Sequence, residues 1–156
     1  MSEAKWLDER EQRAWRSLMA MQESLTEFID RQLRVRCGLS HADFQVLAHL
    51  SEAPGGRLRS FELGRLLRWE KSRLSQHLGR MQARGLVGRQ RCDADLRGLD
   101  VTITGEGREL IERAAGQHVA DARDAVIDQL SADELATLTD IADKVRARLT
   151  TREPAD

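Results

Sequence analysis

Residues 60–104 read SFELGRLLRWEKSRLSQHLGRMQARGLVGRQRCDADLRGLDVTIT. Ser60 sits where a helix cap belongs, and Phe61, Leu63, Leu66 and Leu67 follow at helical spacing, which predicts a short helix. A turn at Arg68-Trp69 separates it from a second helix running from about Glu70 to Arg84. Leu74, Leu78 and Met81 fall at i, i+4 and i+7 of that helix and define a narrow inward face. At about 100° per residue, the opposite face carries Ser72, Arg73, Gln76, Gly79, Arg80 and Ala83. Gly85 is a natural C-terminal stop. Two strands, Val87–Cys92 and Leu99–Thr104, then flank a charged loop at Asp93–Gly98, with Leu99, Val101 and Ile103 alternating toward the interior.

A short helix, a second helix ending in Gly and a small β-hairpin, in that order, make a winged helix-turn-helix. Such a lobe places one helix in the major groove of DNA and a β-loop beside it. The charge distribution points the same way. The 156-residue chain has a net charge of −1, yet Arg57 to Arg97 holds eleven Arg or Lys against four Asp or Glu, a local excess of +7. Charge alone is ordinarily a solvated surface. Joined to the motif order, it marks a module that meets phosphate, flanked by acidic arms.

Outward from this lobe the chain reads as helix. From about Asp8 to Arg36, Trp15, Leu18, Met19, Leu25, Phe28, Ile29 and Leu33 form one stripe, and Gly38 is a plausible stop. Ser40 with Asp43 resembles a capped start for a helix bearing Phe44, Val46, Leu47 and Leu50, which breaks at Pro54-Gly55-Gly56. Arg57-Leu58-Arg59 reads as a short extended segment. Thr104 can cap a fifth helix striped by Leu110, Ile111, Ala114, His118, Ala122 and Val126. Ser131 with Glu134 is a capping box opening a last helix with Leu135, Leu138, Ile141, Val145 and Leu149.

The fold expected is therefore mainly α with a small β-hairpin, folded as one domain over 1–156: a winged helix-turn-helix lobe at 40–104, with dimerisation helices at 8–36 and 105–149. The terminal stripes are longer than a small central lobe can cover. A homodimer in which the first, fifth and sixth helices of two chains pack together buries them, and a two-fold protein then reads a pseudo-palindromic site with half-sites one helical turn apart. The alternative is a monomeric bundle. No apolar run approaches the ~20 residues of a membrane helix, and the mixed-charge start MSEAKWLDEREQR is unlike a secretory signal, so a cytoplasmic protein is expected.

The set LGRLL (63–67), KSRLSQHLGRM (71–81), RGLV (84–87), Asp95-x-Arg97 and Val101-x-Ile103-Thr104-x-x-Gly107 resembles the MarR family of bacterial transcriptional regulators. The likeness covers roughly Leu39 to Leu110, and the terminal helices by layout. It implies a dimeric winged helix, most often a repressor, released from double-stranded DNA by a small molecule or an oxidant. By position, Ser72, Arg73, Ser75 and Gln76 match the family's DNA-facing helix segment, and Asp95 and Arg97 match the wing motif, whose arginine approaches the minor groove or backbone. The chain departs from the pattern with His77 in a usually apolar slot and with Trp69-Glu70 just before the Lys-Ser pair.

Arg73 and Gln76 are the base-reading candidates, since Arg can donate two bonds to guanine and Gln can pair with adenine. A phosphate contact is the alternative for Arg73. Ser72 and Ser75 suit phosphate near a helix N-terminus, and Lys71, Arg80 and Arg84 suit electrostatic contact. Asp95 can hold Arg97 by a charge-assisted pair for insertion into a narrow minor groove, or the two form an ordinary surface pair.

Cys37 and Cys92 lack any CxxC spacing; either could serve a redox switch, although a free Cys is more often inert. His41, His49, His77 and His118 show no metal-ligand spacing, and no metal or cofactor is expected. Trp6 and Trp15 on the first helix are assigned to packing, in the core or at a dimer interface, with an aromatic-ligand pocket where that helix meets the DNA-binding lobe as the alternative for Trp15. Neither a phosphate-binding Gly loop nor a nucleophile elbow is present, so no enzymatic activity is expected. A winged helix that docks protein instead of DNA is the rival reading, separable by salt dependence.

Overall fold

The computed structural model describes residues 6–92 and 95–150, with the backbone alone for Cys92 and for 95–97. The chain forms two compact units, one running to His118 and the other from Val119 onward.

The first unit opens with α1 (Glu9–Cys37). Asp8 accepts from the Glu11 N–H at 2.8 Å while the Glu11 carboxylate accepts from the Asp8 N–H at 2.8 Å, a reciprocal cap for two otherwise unpaired donors. Gly38 ends the helix at φ 65, a left-handed position that a side chain would strain. Only the C-terminal half of α1 meets the core, through Leu33 and Ile29. Trp15 is 54% exposed and Trp6 87% exposed, so packing within the chain does not account for either. The apolar stripe of α1 is correct as a helical pattern, but in the N-terminal portion of the helix Trp15, Leu18 and Met21 stay exposed among the described residues.

Helix α2 (His41–Glu52) begins at the Ser40–Asp43 capping box that the sequence predicts. Asp30 of α1 accepts a further bond from the His41 N–H at 2.8 Å and ties the two helices where they meet. Val46, Leu47 and Leu50 are fully buried. A 3-10 turn at Pro54–Gly56 leads into β1 (Arg57–Arg59).

This extended segment converts the expected hairpin into a three-stranded antiparallel sheet of order β1-β3-β2, with β2 at Val87–Cys92 and β3 at Asp95–Ile103. Arg59 of β1 pairs with Asp100 of β3 and also contacts its carboxylate, Nε to Oδ1 at 3.3 Å. Strand β3 starts earlier than the predicted Leu99. The alternation of Leu99, Val101 and Ile103 marks only the second half of the strand; the sequence Asp95-Leu96-Arg97-Gly98 ahead of it carries no apolar alternation. The predicted loop residues Asp93 and Ala94 lie outside the described residues.

Helices α3 (Ser60–Leu67) and α4 (Lys71–Ala83) follow the predicted order. Ser60 is the first helical residue rather than the cap. Arg59 keeps an extended backbone (ψ 142) as it leaves β1, and its N–H donates to the Glu62 carboxylate at 3.0 Å. Of the apolar residues expected on α3, Leu63 is fully buried while Phe61 and Leu66 face outward.

The passage from sheet to α5 (Gly105–Ala125) is tightly built. The Thr104 hydroxyl lies 2.7 Å from the Gly85 carbonyl and 3.0 Å from that of Leu86, and it accepts from the Gly107 N–H at 3.0 Å. A Cβ on Gly107 would come within 2.2 Å of the Leu86 carbonyl oxygen, so only glycine fits this close approach. Core residues Leu47, Leu78, Met81, Val87 and Val101 gather α2, α4 and the sheet around one centre, with Ile111 and Ala114 closing it from α5.

In the second unit, the end of α5 passes through a 3-10 turn at Ile127–Gln129 to α6 (Ala132–Thr150). Ser131 and Glu134 form the predicted capping box, with bonds of 2.8 and 3.3 Å. No residue of α6 is buried: Leu138, Ile141, Val145 and Leu149 are 37–60% exposed along one stripe. Among the described residues, no helix is long and apolar enough to cross a membrane.

Candidate nucleic-acid interface

Helix α4 has two chemically distinct sides. Leu74, Leu78 and Met81 are buried. Lys71, Ser72, Arg73, Ser75, Gln76 and Arg80 are all exposed, so the structure gathers six of the sequence-predicted contact residues on one helix. Residues 71–83 contain no Asp or Glu, and the exposed backbone N–H groups of the first turn add partial positive charge there. Such a surface can donate to phosphate oxygens and to base edges.

The back of α4 is fixed by a buried carboxylate. Asp43 is only 4% exposed. Its Oδ2 accepts from the Arg84 guanidinium at 2.8 Å, and a second Arg84 nitrogen donates to the Gly38 carbonyl at 2.7 Å. Its Oδ1 lies 2.9 Å from Nε2 of His77, a close contact without hydrogen-bond alignment. Burial opposes ionisation of Asp43. The Ser40 N–H and the Arg84 guanidinium, helped by the His77 charge when present, nevertheless hold its carboxyl below the usual carboxylate range. Arg84, expected at phosphate, is thus engaged with α2 and the end of α1.

His77 sits where an apolar residue was expected. Burial pushes its imidazole below the ordinary histidine range, and nearby Arg80 and Arg73 add to the depression while Asp43 opposes it. A guanidinium nitrogen of Arg80 lies 3.2 Å from His77 Nδ1 and can only donate, which assigns the proton to Nε2, on the Asp43 side. The other edge of the ring meets Trp69 at 5.2 Å between centroids and 78° between planes. Arg73 lies over the same indole, Cζ 4.3 Å from its centroid.

A second brace comes from the sheet. Arg89 on β2 donates to the Gln82 side chain at 2.7 Å and to the Ser75 carbonyl at 3.3 Å, holding α4 against the root of the wing. Beyond Arg91, which is exposed, the wing's chemistry is not described: the side chains of Asp95, Arg97 and Cys92 lie outside the described residues. Cys37 is free, half-buried and packed against the core. Among the described residues, no group of His, Cys, Asp or Glu is placed to hold a metal ion.

A sequence model of the MarR family matches residues 38–98. AbsC, a MarR family transcriptional regulator from Streptomyces coelicolor, superposes with a TM-score of 0.89 at 34% identity, over 96% of this chain and 100% of its own. The chain belongs to the MarR family. Sco3205, a MarR family transcriptional regulator from the same organism solved in complex with DNA, matches at 36% identity and TM-score 0.87, covering 94% of this chain and 91% of its own. A mutant of MarR from E. coli complexed with operator DNA matches at 26% identity and TM-score 0.74, over 83% and 91% of the two chains. No curated protein sequence matches this one significantly.

Within this MarR family regulator, two supporting residues escaped the sequence reading. Arg89 enters the sequence reading only through the excess charge between Arg57 and Arg97, and its bond to the Ser75 carbonyl of α4 spans fourteen positions that no local pattern links. Trp69 was noted only as a departure. It stands just ahead of α4, outside the helix, so its contacts with Arg73 and His77 do not follow from helical spacing.

Proposed function

We propose that this MarR family member is a non-enzymatic, cytoplasmic homodimer that represses transcription by binding a pseudo-palindromic operator and leaves it when a small molecule binds. The observation that carries the reading is the outer face of α4: Ser72, Arg73, Ser75, Gln76 and Arg80 exposed together, with no acidic residue on the helix. In this reading Arg73 and Gln76 address base edges, Lys71, Ser72, Ser75 and Arg80 hold phosphates, and Asp95 with Arg97 brings the wing to the neighbouring groove. Structures of similar MarR proteins bound to DNA support the choice of partner.

Dimerisation is supported by apolar surface that the single chain leaves open: Trp15, Leu18 and Met21 on α1, and the Leu138–Leu149 stripe on α6. Two copies related by a two-fold axis would present two α4 helices to successive major grooves. Release then follows if an effector favours a spacing of the two lobes that mismatches the duplex. The test is hydroxyl-radical footprinting on the DNA upstream of the protein's own gene. Two protected patches about one helical turn apart, related by symmetry, are expected. A single patch, or none with the purified protein in excess, contradicts the reading.

A further inference from the structure

Two of the three residues that set this segment apart from the family pattern, Trp69 and His77, touch each other. Their rings meet edge to face, 5.2 Å apart. The Trp69 ring is half-buried against the core, and its backbone N–H donates to the Gly64 carbonyl at 3.0 Å, so the end of α3 fixes its position. His77 lies in turn against Asp43 of α2, Nε2 to Oδ1 at 2.9 Å. At the outer end of this chain of contacts, the Arg73 guanidinium lies over the indole at 4.3 Å.

We propose that Trp69 is a specificity-determining positioning residue, which holds the Arg73 guanidinium in the plane from which it reads one base pair. The inference rests on α4 being the DNA-reading element. Its chemistry follows from the shape of the guanidinium. The N–H donors lie in the plane of the group, so stacking a face on an indole leaves the donor edge free for two parallel bonds to a base. An unstacked arginine must freeze several rotatable bonds when it docks; a stacked one has lost much of that freedom beforehand. A phosphate presents oxygens in several directions and can be met by single as well as paired bonds, so the indole contributes more to discrimination than to general affinity.

The test uses the full chain and the duplex that wild-type protein enriches from a randomised pool, with a scrambled duplex as control. Trp69→Phe retains a π face and is expected to bind both duplexes within about two-fold of wild type. Trp69→Leu keeps an apolar filler but no π face. It is expected to lose about two- to five-fold in affinity for the enriched duplex, confined to one base pair when single-substituted duplexes are titrated, with scrambled-duplex binding unchanged. Placed in an Arg73→Ala background, the same substitution is expected to cost nothing further. Should Trp69→Leu fail to fold, Trp69→Met asks the same question with an unbranched apolar filler that likewise has no π face; it is expected to lose discrimination at that one base pair and keep its scrambled-duplex affinity. Wild-type discrimination in Trp69→Leu (or in Trp69→Met, if that variant is needed), or an equal extra loss in the Arg73→Ala background, overturns the proposal. A pool from which wild type enriches no sequence overturns the DNA-reading function itself.

Discussion

Arg73 and Gln76 lie three residues apart on the exposed side of α4, so their side chains leave the helix along neighbouring lines. Replacing Arg73 by Ala is expected to cost ~1–3 kcal/mol at a single base position, measurable with a panel of single-substituted duplexes. Lys71→Ala is expected instead to weaken all duplexes alike and to lower the salt slope by about one. A third prediction concerns the scaffold. Gly107→Ala forces a methyl against the Leu86 carbonyl and should destabilise the fold by roughly 1–3 kcal/mol, seen as a lower urea midpoint. The outward set on α4 was legible from helical periodicity alone, because exposure along one helix is a local property. The role of Arg84 was not: its partner Asp43 stands 41 positions away, and a basic residue closing a basic helix looks identical whether it faces phosphate or a buried carboxylate.

Helix ends were the most readable elements. The Ser40–Asp43 and Ser131–Glu134 boxes form as predicted because both partners of each sit within one turn. Strand β1 was not readable as sheet, since its pairing joins segments more than forty residues apart, as at Arg59 and Asp100; the stretch 95–98 of β3 lacks the apolar alternation that marks a strand in the sequence. How α2 and α4 are joined yields a pH prediction. Burial lowers the folded-state pKa of His77 and, together with His118, that of His41, so both take up protons more readily when unfolded. Their contribution to stability is therefore fully present above the ordinary histidine pKa of about 6.5 and is lost as pH falls through the lowered folded values. Asp43, also lowered, adds a further loss below the carboxylate range. Urea titrations between about pH 7.5 and 5 should show stability declining with acidity, and His77→Gln should flatten part of that decline. A pH-independent midpoint would contradict the burial of these groups. Asp43→Ala, which strands Arg84 and His77, should cost about 2–3 kcal/mol at neutral pH.

For the whole molecule, the open question is what covers the apolar stripes that one chain leaves exposed on α1 and α6. The dimer reading predicts a solution mass of twice the 17.7 kDa of one chain, and a shift toward monomer in Ile141→Glu, both readable by sedimentation. It also predicts that loss of the dimer weakens operator binding far more than random-duplex binding, since only the pair of lobes matches two half-sites. The central claim is that the face of α4 reads DNA sequence, and fluorescence anisotropy across a salt series tests it most directly, with the upstream duplex of the protein's own gene against a scrambled one. The account predicts tight binding to the upstream duplex, weak binding to the scrambled one, and affinity falling steeply as salt rises. Equal and salt-insensitive binding to both duplexes would contradict it.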